Sequence, residues 1–391
     1  MKKLLVKNTA IIDSSGKEVY LRGVNLGGWL LMEGYILGGR NIPERSFTKQ
    51  LRTRYGSKDA ITFVQKFRRS FITKKDIFRI KAAGLNCVRI PFHYQIVPKD
   101  FTFLDQAISW CTEAQVYAIL DMHAAPGSQN ADWHGDSLGK ALFWEDIKYR
   151  AAAAALWKKI ARRYAGSSVV AGYDILNEPV TDRTNLINQY YNRVVQTIRS
   201  AGDSHIIFLE GNMWAQEMDF LRIKDTRNVA YSVHCYQPLD HSFNFHPGQT
   251  YPGKIDSAHW NKKRLHHLLQ RYIRFQKKVN APIFVGEFGI NARCYHCHNE
   301  LKLTRDLLSL FNQYNWHWTY WTYKAVGGGL FPNGIYQFLE NPKWINRQGP
   351  VIGWETYTQL SKPALHAIPN LLKTEQFVKH ASLMRVLSMY A

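Results

Sequence analysis

Along the chain, short runs of β-branched, aromatic and aliphatic residues alternate with longer stretches in which apolar positions recur every three or four residues. The first pattern predicts buried strands and the second amphipathic helices. Eight runs read as strands: Tyr20 to Val24, Cys87 to Pro91, Tyr117 to Met122, Gly172 to Leu176, Ile206 to Glu210, Ala230 to Cys235, Ile283 to Glu287 and Thr319 to Lys324. Helices are predicted over Thr73 to Ala83, after Phe103, and over Asp146 to Tyr164, Asp182 to Ser200, Lys262 to Val279 and Glu300 to Tyr314. In Asp146 to Tyr164 the residues Ile147, Ala151, Ala154, Ala155, Leu156 and Ile160 are assigned to one face, with Lys148, Arg150, Lys158, Lys159, Arg162 and Arg163 mostly off it. Such a face packs on a sheet. So even an alternation of strand and helix fits an α/β (β/α)8 barrel, the TIM-barrel architecture, better than a doubly wound sheet.

Internal repeats and Pro/Ser-rich linkers are absent, so residues 1–391 read as one domain, with 18–325 the barrel proper and 326–391 a C-terminal loop and helical extension. Within that extension, Gln376 to Tyr390 carries apolar residues at helical spacing. It is read as a last helix closing the outer ring, ahead of a basic helix lying on a membrane surface. Long insertions at 26–72, 124–146 and 237–261 are expected to rise over one face of the barrel and to decide whether a cleft there is blocked at one end.

With 46% hydrophobic and 21% charged residues, disordered and low-complexity classes are excluded. A net charge of +21 calls for a search for an anionic partner. The cations are spread along helices as pairs such as Lys158-Lys159 and Arg162-Arg163 and not as one aromatic-interleaved stripe, which points to a solvated surface and no specific nucleic acid. Five cysteines, an odd number, do not make a disulfide framework. Lys7, Asn8 and Asp13 break any apolar stretch behind the basic start, so no export signal is read and a cytoplasmic location or another export route is expected. No window reaches the length of a transmembrane span.

In a barrel of this kind chemistry gathers where strands end at the C-terminal face. Polar and aromatic residues at those ends are Arg89, His123, the triplet Asn177-Glu178-Pro179, His234 with Tyr236, Glu287 and Trp321. Glu178 follows the fourth predicted strand and Glu287 ends the seventh, nearly opposite across the ring, so both reach one bond over its mouth. A glycosidic bond needs such a pair, one carboxyl protonating the leaving oxygen and the other attacking the sugar carbon. Arg89 and Tyr236 are expected to hold Glu287 as the charged nucleophile. Glu178, with no cation assigned to it, is then the acid. Trp321 is read as a platform for a sugar ring, and Trp29 and Trp133 are further substrate-binding candidates. No metal or other cofactor enters this scheme. A Cys-x-x-Cys with flanking histidines (Cys294, His296, Cys297, His298) lacks the second pair that a structural zinc site needs, and is read as a loop bordering the cleft.

The stretches Leu-Arg-Gly-Val-Asn-Leu-Gly-Gly-Trp-Leu (21 to 30), Gly-Leu-Asn-Cys-Val-Arg-Ile-Pro (84 to 91), Asp-Met-His-Ala-Ala-Pro-Gly-Ser-Gln-Asn (121 to 130), Ile-Leu-Asn-Glu-Pro (175 to 179), His-Cys-Tyr-Gln-Pro (234 to 238) and Val-Gly-Glu-Phe-Gly (285 to 289) resemble glycoside hydrolase family 5, from about residue 20 to about residue 325. The resemblance implies a retaining β-glycosidase in which Glu178 matches the acid/base, Glu287 the nucleophile, and Arg89, His123, Asn177, His234, Tyr236 and Trp321 the supporting residues, with Asn177 meeting the sugar 2-hydroxyl. The opening motif and the Pro-Gly-Ser-Gln-Asn loop resemble the exo-β-1,3-glucanase and β-glucosidase branch, which implies a β-glucan or β-glucoside substrate. An endo-β-1,4-glucanase, a β-mannanase and a glycolipid glycosidase are the alternatives within the family. Two rivals lie outside it. Gly135-Asp136-Ser137-Leu138-Gly139 has the spacing of an esterase nucleophile elbow, but a polar loop and not a strand precedes it. A non-catalytic binder of anionic glycans would use the positive charge but has no need of two carboxylates.

Overall fold

The structure is a computed structural model and describes residues 1–97, 101–291, 298–326, 330–337 and 353–391, with side chains of 298–300 left aside. Eight parallel strands close into a barrel: β1 (Arg22–Asn25), β2 (Cys87–His93), β3 (Tyr117–Ala124), β4 (Val170–Asp174), β5 (Ile206–Glu210), β6 (Val229–His234), β7 (Ile283–Phe288) and β8 (His317–Tyr320). Each pairs with its neighbour in sequence, and β8 returns to β1 through Trp318 opposite Arg22 and Tyr320 opposite Val24. All eight coincide with predicted strands to within a few residues. Strands buried on both faces read as continuous apolar runs, which is why they stand out in the sequence.

The helices around them begin and end on local signals. Asp146 caps Ile147–Tyr164 by accepting from the Lys148 N–H at 2.8 Å, and Asn261 caps Lys262–Val279 by accepting from the Arg264 N–H at 3.0 Å. Thr73 and Asp76 form a capping box at the start of Lys74–Ala82. The buried face of Ile147–Tyr164 differs from the one predicted. It consists of Ala153, Ala154, Leu156, Trp157, Ile160, Ala161 and Tyr164, while Ile147 is 65% exposed. Trp157, whose indole N–H donates to the Ile175 carbonyl at 3.0 Å, ties the helix to the C-terminal end of β4.

The 26–72 insertion is largely helical, with Glu44–Tyr55 and Ser57–Phe71 burying Phe47, Leu51, Phe63, Phe67 and Phe71. A hairpin of Leu4–Lys7 and Ala10–Asp13 covers the opposite, N-terminal end of the barrel, where Leu4 and Ile11 pack on Phe208 and Phe284 of the lumen. The extension shares the barrel's core, since Trp354, Leu365, Leu372, Phe377 and Leu387 belong to the same apolar cluster. The predicted tail helix is present as Ala381–Met389, and it buries Leu383, Met384, Val386 and Leu387. Among the described residues no helix is long and apolar enough to cross a membrane.

Candidate active site

The predicted strand-end residues come together at the C-terminal face, and of the two further candidates Trp133 joins them while Trp29 does not. The mouth opens into a cavity of about 390 Å³ lined by Glu178, Glu287, His123, His134, His234, Tyr236 and Trp321, walled by Tyr35, Trp133, Trp214, Phe243, Phe245 and Phe331. All three long insertions contribute to that wall: Glu33 and Tyr35, then Asp132 to His134, then Gln237 to Phe245.

Glu178 and Glu287 converge with His234, each supplying an atom within 4.8 Å of the other two. Glu178 sits at a positive φ of 49°, a conformation that a residue with a Cβ rarely adopts. Side chains hold it there at both ends. Its N–H donates to Glu210 Oε2 at 2.6 Å, and its carbonyl accepts from Asn130 Nδ2 at 2.9 Å. Gln129 holds the preceding turn by donating to the carbonyls of His123 (2.7 Å) and Asn177 (2.8 Å), which gives the Pro-Gly-Ser-Gln-Asn loop its structural purpose.

Beneath the floor lies Arg89, fully buried. Its guanidinium donates to Glu287 Oε1 at 2.7 Å, Asp174 Oδ2 at 2.9 Å, Asn177 Oδ1 at 2.8 Å, Glu210 Oε1 at 3.1 Å and Asn25 Oδ1 at 3.1 Å, and lies 3.1 Å from Asp121 Oδ2. Arg89 thus serves four carboxylates and not Glu287 alone. One cation cannot neutralise four, and burial with mutual repulsion lifts Asp121 to about 8 and Asp174 well above the usual carboxylate range. Glu287 keeps a second partner, the Tyr236 hydroxyl, which donates to its Oε2 at 2.7 Å.

The premise that Glu178 has no cation is corrected by the structure. His234 Nδ1 lies 2.7 Å from Glu178 Oε1 and His134 Nε2 lies 3.5 Å from Oε2. Burial works to raise the Glu178 pKa, but the His234 hydrogen bond and the two imidazolium charges outweigh it and hold the carboxyl at about 2. In return His234 is pushed well above the ordinary histidine value, with Glu210 and Glu287 overcoming its burial. His134 likewise rises to about 9, where Asp132, Glu178 and Glu33 overcome its burial. A proton in this cluster therefore belongs to Glu178 and its histidines together and not to the carboxyl alone. Glycine makes the approach of His234 possible: a Cβ at Gly286 would meet Ser232 Oγ at 2.7 Å and His234 Nε2 at 3.2 Å.

His123 stays neutral. Burial drops it to about 3, its Nδ1 faces Asp121 Oδ2 at 2.7 Å, and its ring stacks on Trp321 with centroids 5.3 Å apart. Trp321 in turn donates its indole N–H to the Tyr35 hydroxyl. Trp29 is corrected from substrate-binding candidate to core residue. It is fully buried, stacked on Trp110 at 6.1 Å, and its indole N–H is spent on the Arg68 carbonyl at 2.6 Å. Trp133 does line the cavity.

Sequence reasoning missed Glu210, His134 and Glu33. Glu210 ends the fifth predicted strand, so the rule that singled out Glu287 applies to it equally. His134 and Glu33 lie in insertions, where no strand end marks them. Glu33 is 2% exposed, lines the cavity with an unpartnered Oε1, and is raised by burial well above the usual range. The Gly135 to Gly139 segment is a turn and not a nucleophile elbow. Ser137 Oγ accepts from the Gly139 and Lys140 N–H groups at 3.1 and 3.0 Å, and Asp136 is clamped by Arg45 at 2.7 Å and His93 at 2.9 Å. Glu178, His234 and Glu287 are also the cluster among the described residues whose donor atoms come close enough for a cation, but those atoms are already hydrogen-bonded to one another, to Arg89 and to Tyr236. Cys294, His296 and Cys297 lie outside the described residues, as does the side chain of His298.

The family model of cellulases, glycosyl hydrolase family 5, matches residues 46–327, more than half of the chain. The chain belongs to glycosyl hydrolase family 5. It is a glycoside hydrolase on a TIM barrel, and relatives within the family carry several activities in their names. A beta-xylosidase of Phanerodontia chrysosporium is 31% identical over 349 residues, 84% of this chain and 72% of the relative. A probable glucan 1,3-beta-glucosidase A of Aspergillus clavatus is 31% identical over 241 residues, 57% of each chain. The crystal structure of endoglucanase Cel5A from Thermotoga maritima shares the fold with a TM-score of 0.59 at 20% identity, covering 81% of this chain and 91% of that one.

Proposed function

We propose that this family 5 hydrolase is a retaining, exo-acting β-glycosidase of neutral β-glucosides or β-1,3-glucan, working by double displacement. The observation that carries this reading is the convergence of one Glu178 oxygen and one Glu287 oxygen within 4.8 Å over a single cavity. Carboxyl groups of retaining glycosidases stand about 5–5.5 Å apart, whereas inverting enzymes need about 6.5–9.5 Å to admit a water. In this reading Glu287 attacks the anomeric carbon, oriented by its hydrogen bonds from Arg89 and Tyr236. Glu178 hands the shared proton to the departing oxygen, then takes one from the water that cleaves the glycosyl ester. Asn177 keeps an amide hydrogen beyond the one directed at His123 Nε2 (3.3 Å), and that hydrogen meets the sugar 2-hydroxyl.

Support for exo action comes from the wall. Tyr35 bridges Trp321, Trp133 (ring centroids 5.8 Å) and Phe331 (5.0 Å), so aromatic side chains from three separate loops join in one wall of the cavity, which this reading takes as the closed glycone end. The name of the Aspergillus relative favours glucose with β-1,3 linkage. That of the Phanerodontia relative favours xylose as a second reading.

The test is proton NMR of the first product released from laminaribiose, cellobiose, an aryl β-glucoside and an aryl β-xyloside. A β-anomer that later mutarotates is expected, with monosaccharide as the first product. An α-anomer at the outset, or turnover of none of the four, overturns the proposal.

A further inference from the structure

We infer that the outer face of the helix Lys262–Val279 is a docking surface for an acidic polysaccharide, a polymer that carries uronate or sulfate groups. Seven residues of this helix are lysine or arginine, two are histidine and none is acidic. Its apolar side, Leu265, Leu269, Tyr272, Ile273 and Phe275, is buried in the barrel's core cluster. At 3.6 residues per turn Lys263, His267, Arg274, Lys277 and Lys278 fall on the opposite side, and all five are exposed. Arg264 and Arg271 follow one edge of that stripe, which runs about 27 Å at 1.5 Å per residue. On the helix Ile147–Tyr164, whose lysine and arginine pairs look the same in the sequence, Lys148 meets Asp146 at 2.7 Å and Arg163 meets Asp105. Among the described residues no carboxylate lies within 4.0 Å of a lysine or arginine of Lys262–Val279. Lys277 and Lys278 suit the last turn, but Lys262, Lys263 and Arg264 fill the first turn, where the helix dipole disfavours cations. Arg274 also stands three and four residues before Lys277 and Lys278, at the spacing where like charges repel. Charges placed against local rules, with nothing in the chain to offset them, mark a surface that meets its counter-charge outside the chain.

The chemistry of the stripe selects the polyanion. A bilayer takes up an amphipathic helix by its apolar side, and here that side is spent on the barrel. Single-stranded nucleic acid is gripped by rings on which its bases stack, and the ring beside the stripe, Trp260, is covered by the Arg264 guanidinium at 4.9 Å. A hydrophilic chain bearing carboxylate or sulfate needs only fixed cations in a row, which hold it by charge-assisted hydrogen bonds. The helix follows β6 and leads to β7, so it starts at the C-terminal face and descends the outside of the barrel. None of its residues lines the catalytic cavity. A polymer docked there leaves the mouth open and keeps a glycoside hydrolase inside a glycan matrix.

The test titrates the full chain against end-labelled polygalacturonate, with fluorescence anisotropy as the readout, over a range of salt concentrations. A stripe variant, Lys263→Gln with Arg274→Gln and Lys278→Gln, is compared with a control on the other helix, Lys158→Gln with Lys159→Gln and Arg162→Gln, which removes the same net charge. Kd is expected to rise about tenfold in the stripe variant and less than about threefold in the control, and the slope of log Kd against log salt should become shallower by about two in the stripe variant alone. Lys263→Arg with Lys278→Arg should bind as the wild type does. Because it relieves repulsion, the stripe variant should melt no lower than the wild type, which separates lost binding from lost folding. Equal weakening in the two glutamine variants reduces the effect to net charge and overturns the inference, as does failure of the wild type to bind at about 0.1 M salt, where the screening length is about 10 Å. Tighter binding to single-stranded DNA of matched charge, or to phosphatidylglycerol vesicles, overturns the polysaccharide class. Turnover does not enter the readout, so the outcome is independent of the proposed glycosidase specificity.

Discussion

Replacing Glu178 by alanine exposes what that carboxyl does in each of the two proposed steps. With oxygens within 4.8 Å, the pair when both are charged repels by about 3.5 kcal/mol at an effective dielectric of about 20, which is about two and a half pKa units. Their mutual repulsion, with burial, works against ionisation of Glu178, and the imidazoles of His234 and His134 oppose it. Once Glu287 becomes a glycosyl ester its charge is gone, the repulsion vanishes, and the same Glu178 becomes free to accept a proton from water. Glu178→Ala removes both services. For leaving groups that need a proton, kcat/KM is expected to drop by about 10²–10⁴-fold, the usual share of general acid catalysis. For leaving groups that depart as stable anions, such as nitrophenols, kcat/KM should change little while kcat falls, because ester hydrolysis has lost its base. Azide needs no base, fits where the carboxyl stood, and should restore kcat with nitrophenyl substrates. The assay is initial rates over a series of aryl β-glycosides with and without azide, with NMR of the product. A β-glycosyl azide is expected. An α-azide, or an equal loss for good and poor leaving groups, would refute the assignment of Glu178 and the spacing argument with it.

Two further predictions concern stability. Lys324 is buried four residues beyond β8, where its ammonium donates to the Phe71 carbonyl, to the Leu372 carbonyl at 2.8 Å and to Thr374 Oγ1 at 3.0 Å, tying the barrel to the insertion and the extension; burial lowers it to about 7. Lys324→Met keeps the length but orphans two carbonyls and should cost about 2–4 kcal/mol in urea unfolding, and a loss under about 0.5 kcal/mol would show that the clamp is idle. His317, at the foot of β8, accepts from the Leu21 N–H at 3.1 Å, and burial holds it at about 3. Its folded pKa is depressed, so the unfolded chain takes up the proton first as pH falls below about 6.5, and stability declines from there toward pH 3 by up to about 1.4 kcal/mol per unit. The slope of stability against pH between 4.5 and 6.5 should be shallower in His317→Gln than in the wild type, and equal slopes would contradict the assignment.

The barrel was legible because its strands are buried on both faces and therefore written as uninterrupted apolar runs, each followed by a helix whose caps, such as Asp146 and Asn261, are local signals. Residues marked by a strand end, such as Arg89, Glu287 and His234, were legible for the same reason. The facing of Ile147–Tyr164 was not, because small and aliphatic residues lie on most sides of that helix and only the contact of Trp157 with Ile175 selects one. Trp29 illustrates the opposite failure, since an indole reads alike whether it ends stacked on Trp110 or on a sugar. By itself the sequence determined the order of strands and helices and the chemical types gathered at one face, properties set by neighbours along the chain. Only the tertiary structure decided the charges: that four carboxylates share Arg89, that two histidines flank Glu178, and that Trp214 stands at the rim. Electrostatic energy depends on distances of a few ångströms between residues up to 198 positions apart, and no local pattern encodes those distances.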